Sequence, residues 1–114
     1  MNKLIIDTLK PLNVPVEFQV YNGSNIPYLT FFTIDDKGEL YADNEELATG
    51  YYIQIDVFSK GSYTELVKKI NKLMKKSGFT RRPSGPESYE DNTKLYHKPL
   101  RFFFCVVNNN EEEI

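Results

Sequence analysis

Apolar and polar residues alternate along parts of the chain with a period of two, which is typical of half-buried β-strands. The clearest stretch is residues 51–58, and residues 16–21 alternate in the same way. Runs that are apolar on both faces occupy 28–34 and 95–107, and a short run occupies 79–82. In the clearest stretch, one face carries Tyr51, Ile53, Ile55 and Val57, and the other carries Tyr52, Gln54, Asp56 and Phe58. The pattern predicts five strands.

Two other segments have apolar residues at the spacing of an α-helix. The first is residues 4–9, and its helix should end before Pro11 because the proline ring clashes with a continuing helix. The second has apolar residues at intervals of three and four and lysines on the opposite side. Ser62 and Glu65 fit a capping box at its start, and Gly78 marks its end. The chain therefore has two predicted helices.

Polar segments separate these elements. Residues 35–38 are predicted to form a turn, and the acidic residues 43–46 an exposed loop. A calcium site in this region would need the alternating oxygen ligands and bidentate glutamate of an EF-hand, which the spacing lacks, so a solvated turn is favoured. Residues 108–114 are polar and acidic, which predicts a disordered tail, with a partner-binding tail as the alternative.

The order helix, three strands, helix, two strands predicts the fold class. We expect an α+β fold with a mainly antiparallel sheet of about five strands and two helices packed on one face. A chain of 114 residues rarely forms two cores, so residues 1–107 are predicted to be one domain, followed by the acidic tail 108–114.

The charge balance weighs against a protein that mainly neutralises nucleic-acid phosphates. The chain has fourteen Lys and Arg and sixteen Asp and Glu, which gives a formal net charge of −2, whereas proteins that bind nucleic acid are usually basic. The five lysines of the second helix could follow a phosphate backbone, but a solvated helix face is the favoured interpretation. No apolar run approaches the roughly 20 residues of a membrane-spanning helix, so no membrane association is expected.

The sequence offers no catalytic set. Cys105 and His97 are the single cysteine and histidine, which excludes a disulfide within the chain and a zinc site of several such ligands. Both lie in the last predicted strand, about 26 Å apart, whereas a nucleophilic dyad needs about 3 Å. Asp35 and Asp36 are adjacent and would point to opposite faces of a strand. We therefore expect no enzyme, cofactor or metal site.

Apolar strand surface exceeds what two helices can cover. Five strands make a sheet about 20 Å wide, and two helices about 10 Å across cover only one face of it. The other face would carry Tyr52, Phe58 and further aromatic residues as a contiguous patch, larger than soluble monomers usually expose. Burial by another copy or a partner is favoured. The alternative is that the predicted loops 35–50 and 83–92 cover the face.

Two stretches of the chain carry a resemblance to a known family. The first is residues 41–61, YADNEELATGYYIQIDVFSKG, followed by the lysine-rich helix and Gly78-Phe79. The second comprises Tyr89-Glu90-Asp91 and the run TKLYHK at 93–98. Over about residues 14–107, the chain resembles the tail-completion, or tail-terminator, proteins of long-tailed bacteriophages and prophages. A neighbouring neck or connector protein is the alternative within the same class.

The resemblance implies a non-enzymatic structural protein with a sheet flanked by helices. Members of the family form a ring, typically a hexamer, at the head-proximal end of the tail tube, where the ring stops tube polymerisation and joins the tail to the head. The implied partners are further copies of the chain, the tail tube protein and the head–tail connector protein, while DNA passes through the lumen without specific binding. The implied location is the virion, and the host cytoplasm during assembly; an isolated subunit could be monomeric.

A ring needs a heterologous interface, in which one patch of each subunit meets a different patch of the next. We expect Tyr52 and Phe58 to form one patch and Tyr41 and Leu47 the other. The acidic residues Asp43, Glu45 and Glu46 are predicted to face the channel, because a lumen through which DNA slides should not bind phosphate.

A second class of function stays open. Aromatic residues on a sheet face, such as Tyr52, Phe58 or Phe103, could stack bases in a small module that binds single-stranded nucleic acid. Such a module would need basic residues around those aromatic rings.

Overall fold

The structure is a computed structural model that describes residues 1–42 and 45–108. The helices are α1 (Asn2–Leu9), which a 3₁₀ turn at Lys10–Leu12 extends, and α2 (Thr64–Lys76). The strands are β1 (Val16–Phe18), β2 (Tyr28–Ala42), β3 (Glu45–Ser59), β4 (Thr80–Arg82), β5 (Ser88–Glu90) and β6 (Leu95–Val107). The chain has the predicted α+β fold.

The strands form one six-stranded mixed sheet in the order β1-β2-β3-β6-β4, with β5 also paired to β6. All pairs are antiparallel except β1 with β2, so the mainly antiparallel sheet is confirmed. The prediction of five strands was wrong, because β5 lies within the segment predicted as a loop and is too short for an alternating pattern. Strands β4 and β5 pair with the same edge of β6 on either side of Pro99, which lacks the N–H for a ladder bond.

One hydrophobic core lies between the two helices and one face of the sheet. Helix α1 contributes Ile5 and Leu9, and helix α2 contributes Ile70 and Met74. The sheet residues of the core are Leu29, Phe31, Ile53, Ile55, Val57, Leu100 and Phe102, joined by Phe79. Their cross-strand partners place them on a common face, so the helices cover that face near one end of the long strands.

The long hairpin of β2 and β3 replaces the predicted turn and acidic loop. Residues 35–38 continue β2, and Glu45 and Glu46 belong to β3, so both predictions were wrong for these residues. Register shifts between Thr33 and Asp35 and between Gly38 and Leu40 interrupt the alternation that would have revealed the strand. Asp43 lies outside the described residues.

Helix α2 begins and ends by different means. Its N-cap is Tyr63 without a side-chain hydrogen bond, so the predicted capping box of Ser62 and Glu65 does not form. Its end is the predicted one: Gly78 has a φ of 99°, and the Phe79 N–H donates to the carbonyl of Met74 at 3.0 Å. This is a Schellman motif, and it turns Phe79 into the core.

Candidate assembly surface

The sheet extends well beyond the part that the helices cover. This extension, which we call the blade, comprises residues 34–42 of β2, 45–52 of β3 and 103–107 of β6. At its base, Tyr51 and Phe104 still pack against the core. The molecule is 52 Å long but only 25 by 24 Å across, and its radius of gyration is 16.0 Å, against about 13 Å for a compact domain of this length. A 15-residue strand spans about 50 Å, so the length of β2 and β3 sets the long dimension.

The far end of the blade, which we call the tip, exposes large apolar side chains. Leu40 is 56% exposed, Tyr41 60% and Val107 75%. Leu47 is half-buried beside them, and its carbonyl accepts a hydrogen bond from the Asn108 N–H at 2.7 Å. Of the predicted patch of Tyr41 and Leu47, Tyr41 is therefore exposed and Leu47 is half-buried.

Both long edges of the blade are open within the part of the chain that the structure describes. Strand β2 pairs with β1 only over Leu29–Phe31, so its outer edge has no strand partner from residue 32 to residue 42. Strand β6 pairs with β4 only as far as Phe103, which leaves the outer edge of residues 104–107 open. Open edges of this length expose backbone donors and acceptors that another chain can pair with.

The face opposite the helices, which we call the helix-free face, carries a row of stacked rings. Phe58 lies between Tyr28 and the His97 imidazole, with ring centroids 4.8 and 4.6 Å away and nearly parallel planes. Tyr21 extends the row at 4.6 Å from Tyr28. Burial, and secondarily the negative charge of Glu90, raises the pKa of the Tyr28 phenol. Phe58 is half-buried between its neighbours.

A polar network crosses the middle of the helix-free face. Asp56 is only 7% exposed, and its carboxylate lies 2.7 Å from Nε2 of His97. The Gln54 amide donates to the same carboxylate at 2.8 Å and accepts from Nε of Arg101 at 3.1 Å. These contacts satisfy the buried carboxylate, which would otherwise be costly to remove from water.

Tyr52 lies on the blade side of this network in a basic setting. Its ring packs on Phe103 at 5.0 Å, and Nζ of Lys37 and the guanidinium of Arg82 lie 5.1 and 5.5 Å from its centroid. A cleft of about 380 Å³ opens here, and Arg101 also lines it. Two carboxylates are close: Asp35, 3.8 Å from Lys37, and Glu39, which accepts from the Tyr52 hydroxyl at 3.3 Å.

The contiguous aromatic patch expected on this face is therefore divided. Tyr52 and Phe58 share the face but lie on opposite sides of the polar network, and both are half-buried rather than exposed. The segment after β4 covers part of the face, since Gly85 is buried closely against Pro99. The blade carries exposed apolar side chains of its own, namely Ile34, Leu40, Tyr41, Val106 and Val107.

The acidic residues predicted to face a channel lie near the tip. Glu45 and Glu46 are both exposed. The Glu46 carboxylate accepts a hydrogen bond from the Thr49 hydroxyl at 2.5 Å and from the Asn108 amide at 3.3 Å, so it also fixes the end of β6 to β3. Asp43 lies outside the described residues. The orientation of these groups toward a channel stays a prediction.

Sequence reasoning missed the basic groups around Tyr52 and the pairing of Asp56 with His97. The sequence predicts Lys37 in a turn and Arg82 in a short strand whose neighbours it does not indicate. The alternation already placed Tyr52 and Asp56 on one face of β3. The missing information was the register of β6 against β3, which pairs Gln54 with Arg101 and Phe58 with His97.

A scan against models of known protein families found no match, and a search of curated proteins found none either. Within residues 1–42 and 45–108, neither helix is long and apolar enough to cross a membrane. The same residues contain no group of three or more His, Cys, Asp or Glu side chains that could hold a metal ion.

Proposed function

We propose that this chain is a non-enzymatic structural protein that assembles into a ring through its blade. In the ring, the tip patch around Tyr41 and Leu47 of one copy packs on the helix-free face near Tyr52 of the next. The blade carries this proposal, because it extends past the core, exposes apolar side chains and leaves two strand edges open.

The physical reason is that such an extension adds little stability to a monomer. Leu40, Tyr41 and Val107 remain in water, and the open edges invite pairing with other chains. Contact with a second copy buries these side chains and can complete the backbone hydrogen bonds. The tip and the helix-free face are different surfaces, so the contact is heterologous, and heterologous contacts close into rings when the rotation permits.

The resemblance of residues 41–61 and 89–98 to tail-terminator proteins supports a specific role for the ring. We infer that it sits at the head-proximal end of a phage tail tube, stops tube growth and joins the tail to the head connector. Glu45 and Glu46 near the tip suit a lumen through which DNA passes, since carboxylates repel phosphate.

A tube-assembly experiment tests this role. A tail tube protein from the same genome is polymerised with and without the chain, and tube lengths are measured by electron microscopy. Wild-type protein should cap tubes at a shorter length, and the tip variant Leu40→Lys/Tyr41→Lys should not. The variant Val20→Lys/Ile26→Lys adds the same charge at exposed apolar positions off the blade and should cap normally. Tubes of unchanged length with wild-type protein would contradict the role.

A small module for single-stranded nucleic acid is the second candidate, and the surroundings of Tyr52 favour it. Lys37, Arg82 and Arg101 supply the basic residues that stacking of bases on Tyr52 would require. The nearby Asp35 and Glu39 offset two of these three charges, which is why this candidate ranks second. Salt-dependent binding of a labelled oligothymidylate that Arg82→Ala weakens would support it over the ring.

A further inference from the structure

A second cleft lies on the side of the sheet that the helices cover, between the C-terminal half of α2 and the edge strand β4. It has a volume of about 760 Å³. Lys72 and Lys75 from α2 and Arg81 from β4 line it, together with the largely buried Phe79 and Phe102. We call it the α2–β4 groove.

The groove is strongly positive. Lys72, Lys75 and Arg81 are exposed, and no carboxylate of the described residues lies within 4 Å of any of them. The single described ion pair on this helix, Lys68 with Glu65, is at its other end and does not line the groove. An occupant with several negative charges would therefore be attracted.

The walls of the groove suit an extended peptide. Strand β4 pairs only with β6, so its other edge has no strand partner in the described part of the chain. A peptide can add to such an edge through main-chain hydrogen bonds. Asn71 also lines the groove, and its side-chain oxygen has no hydrogen-bond donor among the described residues.

We propose that the α2–β4 groove binds the acidic segment Asn109–Ile114 of a neighbouring copy. This segment carries Glu111, Glu112 and Glu113, three negative charges for the three cations of the groove, followed by the apolar Ile114. The inference rests on the proposed function, because it gives each subunit of the ring a second contact with the next.

The length of the acidic segment limits how it can lie in the groove of its own subunit. The described chain ends at Asn108, six residues beyond Phe102, which is about 20 Å along β6. Glu113 lies only five residues beyond Asn108, so even a fully extended segment that turned back would reach about 17 Å. Glu113 can come within side-chain reach of the near end of the groove, where Gly78 lies beside Phe104, but Glu111, three residues beyond Asn108, reaches only about 10 Å. A subunit therefore cannot align all three glutamates with its own groove, whereas the segment of a neighbour faces no such limit.

A peptide-binding measurement tests the groove directly. The labelled, amidated peptide NNNEEEI is titrated by fluorescence anisotropy into full-length Glu111→Gln/Glu112→Gln/Glu113→Gln protein, whose own segment cannot compete electrostatically. We expect saturable binding that Lys72→Glu/Lys75→Glu/Arg81→Glu weakens at least about tenfold. The matched control Lys60→Glu/Lys69→Glu/Lys76→Glu reverses three exposed lysines outside the groove and should retain binding close to that of the parent. Equal losses in both triple variants would overturn the inference.

Two further measurements complete the test. The first distinguishes the peptide from nucleic acid as the occupant of the groove, and the second distinguishes failure of this inference from failure of the proposed function. An oligothymidylate that binds the groove more tightly than the peptide, with the same dependence on the three cations, would overturn the inference in favour of nucleic acid. In full-length protein, Glu111→Lys/Glu112→Lys/Glu113→Lys should weaken assembly, as measured by native mass spectrometry. Adding Lys72→Glu/Lys75→Glu/Arg81→Glu to the same protein should restore assembly. If rings form but ignore these charge changes, the inference fails and the proposed function stands. If the peptide binds but no ring forms either in solution or on tube ends, the groove stands and the proposed function fails.

Discussion

Asp56 is the carboxylate on which the polar part of the helix-free face depends. It is buried and lies within hydrogen-bond distance of His97 and Gln54. Replacing it with alanine leaves a histidine nitrogen and an amide without their partner, which should cost about 1–3 kcal/mol of unfolding free energy. Urea denaturation measures this loss. Asp36→Ala, at an exposed position of the blade, should change stability by less than about 0.5 kcal/mol, and an equal loss there would contradict the role given to Asp56.

Tyr28 makes stability depend on alkaline pH. Its folded-state pKa is raised above the ordinary value of 10.0, chiefly by burial, so the folded protein favours the protonated phenol. This contribution is fully present below the unfolded pKa and is lost as the pH rises through the folded pKa. Tyr28→Phe should therefore lose less stability than wild type as the pH rises above about 10, the ordinary pKa of tyrosine. Parallel pH profiles from denaturant unfolding would contradict the effect of burial on this group.

At the scale of elements, Gly78 fixes where α2 ends. Its φ of 99° is strained for any residue with a Cβ, and that atom would also lie 3.2 Å from the Phe104 ring. Gly78→Ala should destabilise the protein by roughly 1–3 kcal/mol. Gly61→Ala is the matched control, because its added methyl meets nothing within 4 Å, and it should be neutral or slightly stabilising. Thermal unfolding of both variants checks the pair, and similar melting temperatures would contradict the prediction.

The elements that the sequence predicts are those that bury one regular face. Strand β6 at Leu95–Val107 and the end of α2 at Gly78 follow directly from apolar periodicity and a glycine stop. The outer part of β2 is largely exposed on both faces and is broken by bulges, so Asp35, Asp36 and Lys37 have the pattern of a turn. The three-residue strand β5 is formed by pairing with β6, a contact that no local pattern encodes.

At the scale of the whole molecule, the surplus of apolar surface was predictable but its location was not. Tyr52 and Phe58 follow from alternation along β3, yet their half-buried state depends on neighbours from β2 and β6. The exposed apolar residues of the tip became visible only once the hairpin was known to extend 15 residues on each side. The blade is therefore a property of strand pairing rather than of any one segment.

The single cysteine allows the proposed contact to be tested directly. Cys105 is exposed on the blade, on the same face as Tyr52. In Ala42→Cys protein, the new thiol lies at the tip. Within one subunit it cannot reach Cys105, since the β3 partners of the two positions, Glu45 and Gly50, are about 16 Å apart and a disulfide needs Cα atoms within about 7 Å.

Mass analysis of Ala42→Cys protein after mild oxidation is the decisive measurement. Oxidation is carried out with tail tubes present, so that a subunit that is monomeric in isolation can assemble. A heterologous contact between the tip and the helix-free face predicts a ladder of disulfide-linked species larger than dimers, which reduction returns to monomers. The same variant with Cys105→Ala should give dimers at most. A population of oxidised Ala42→Cys protein that contains only monomers and dimers would contradict assembly through the blade.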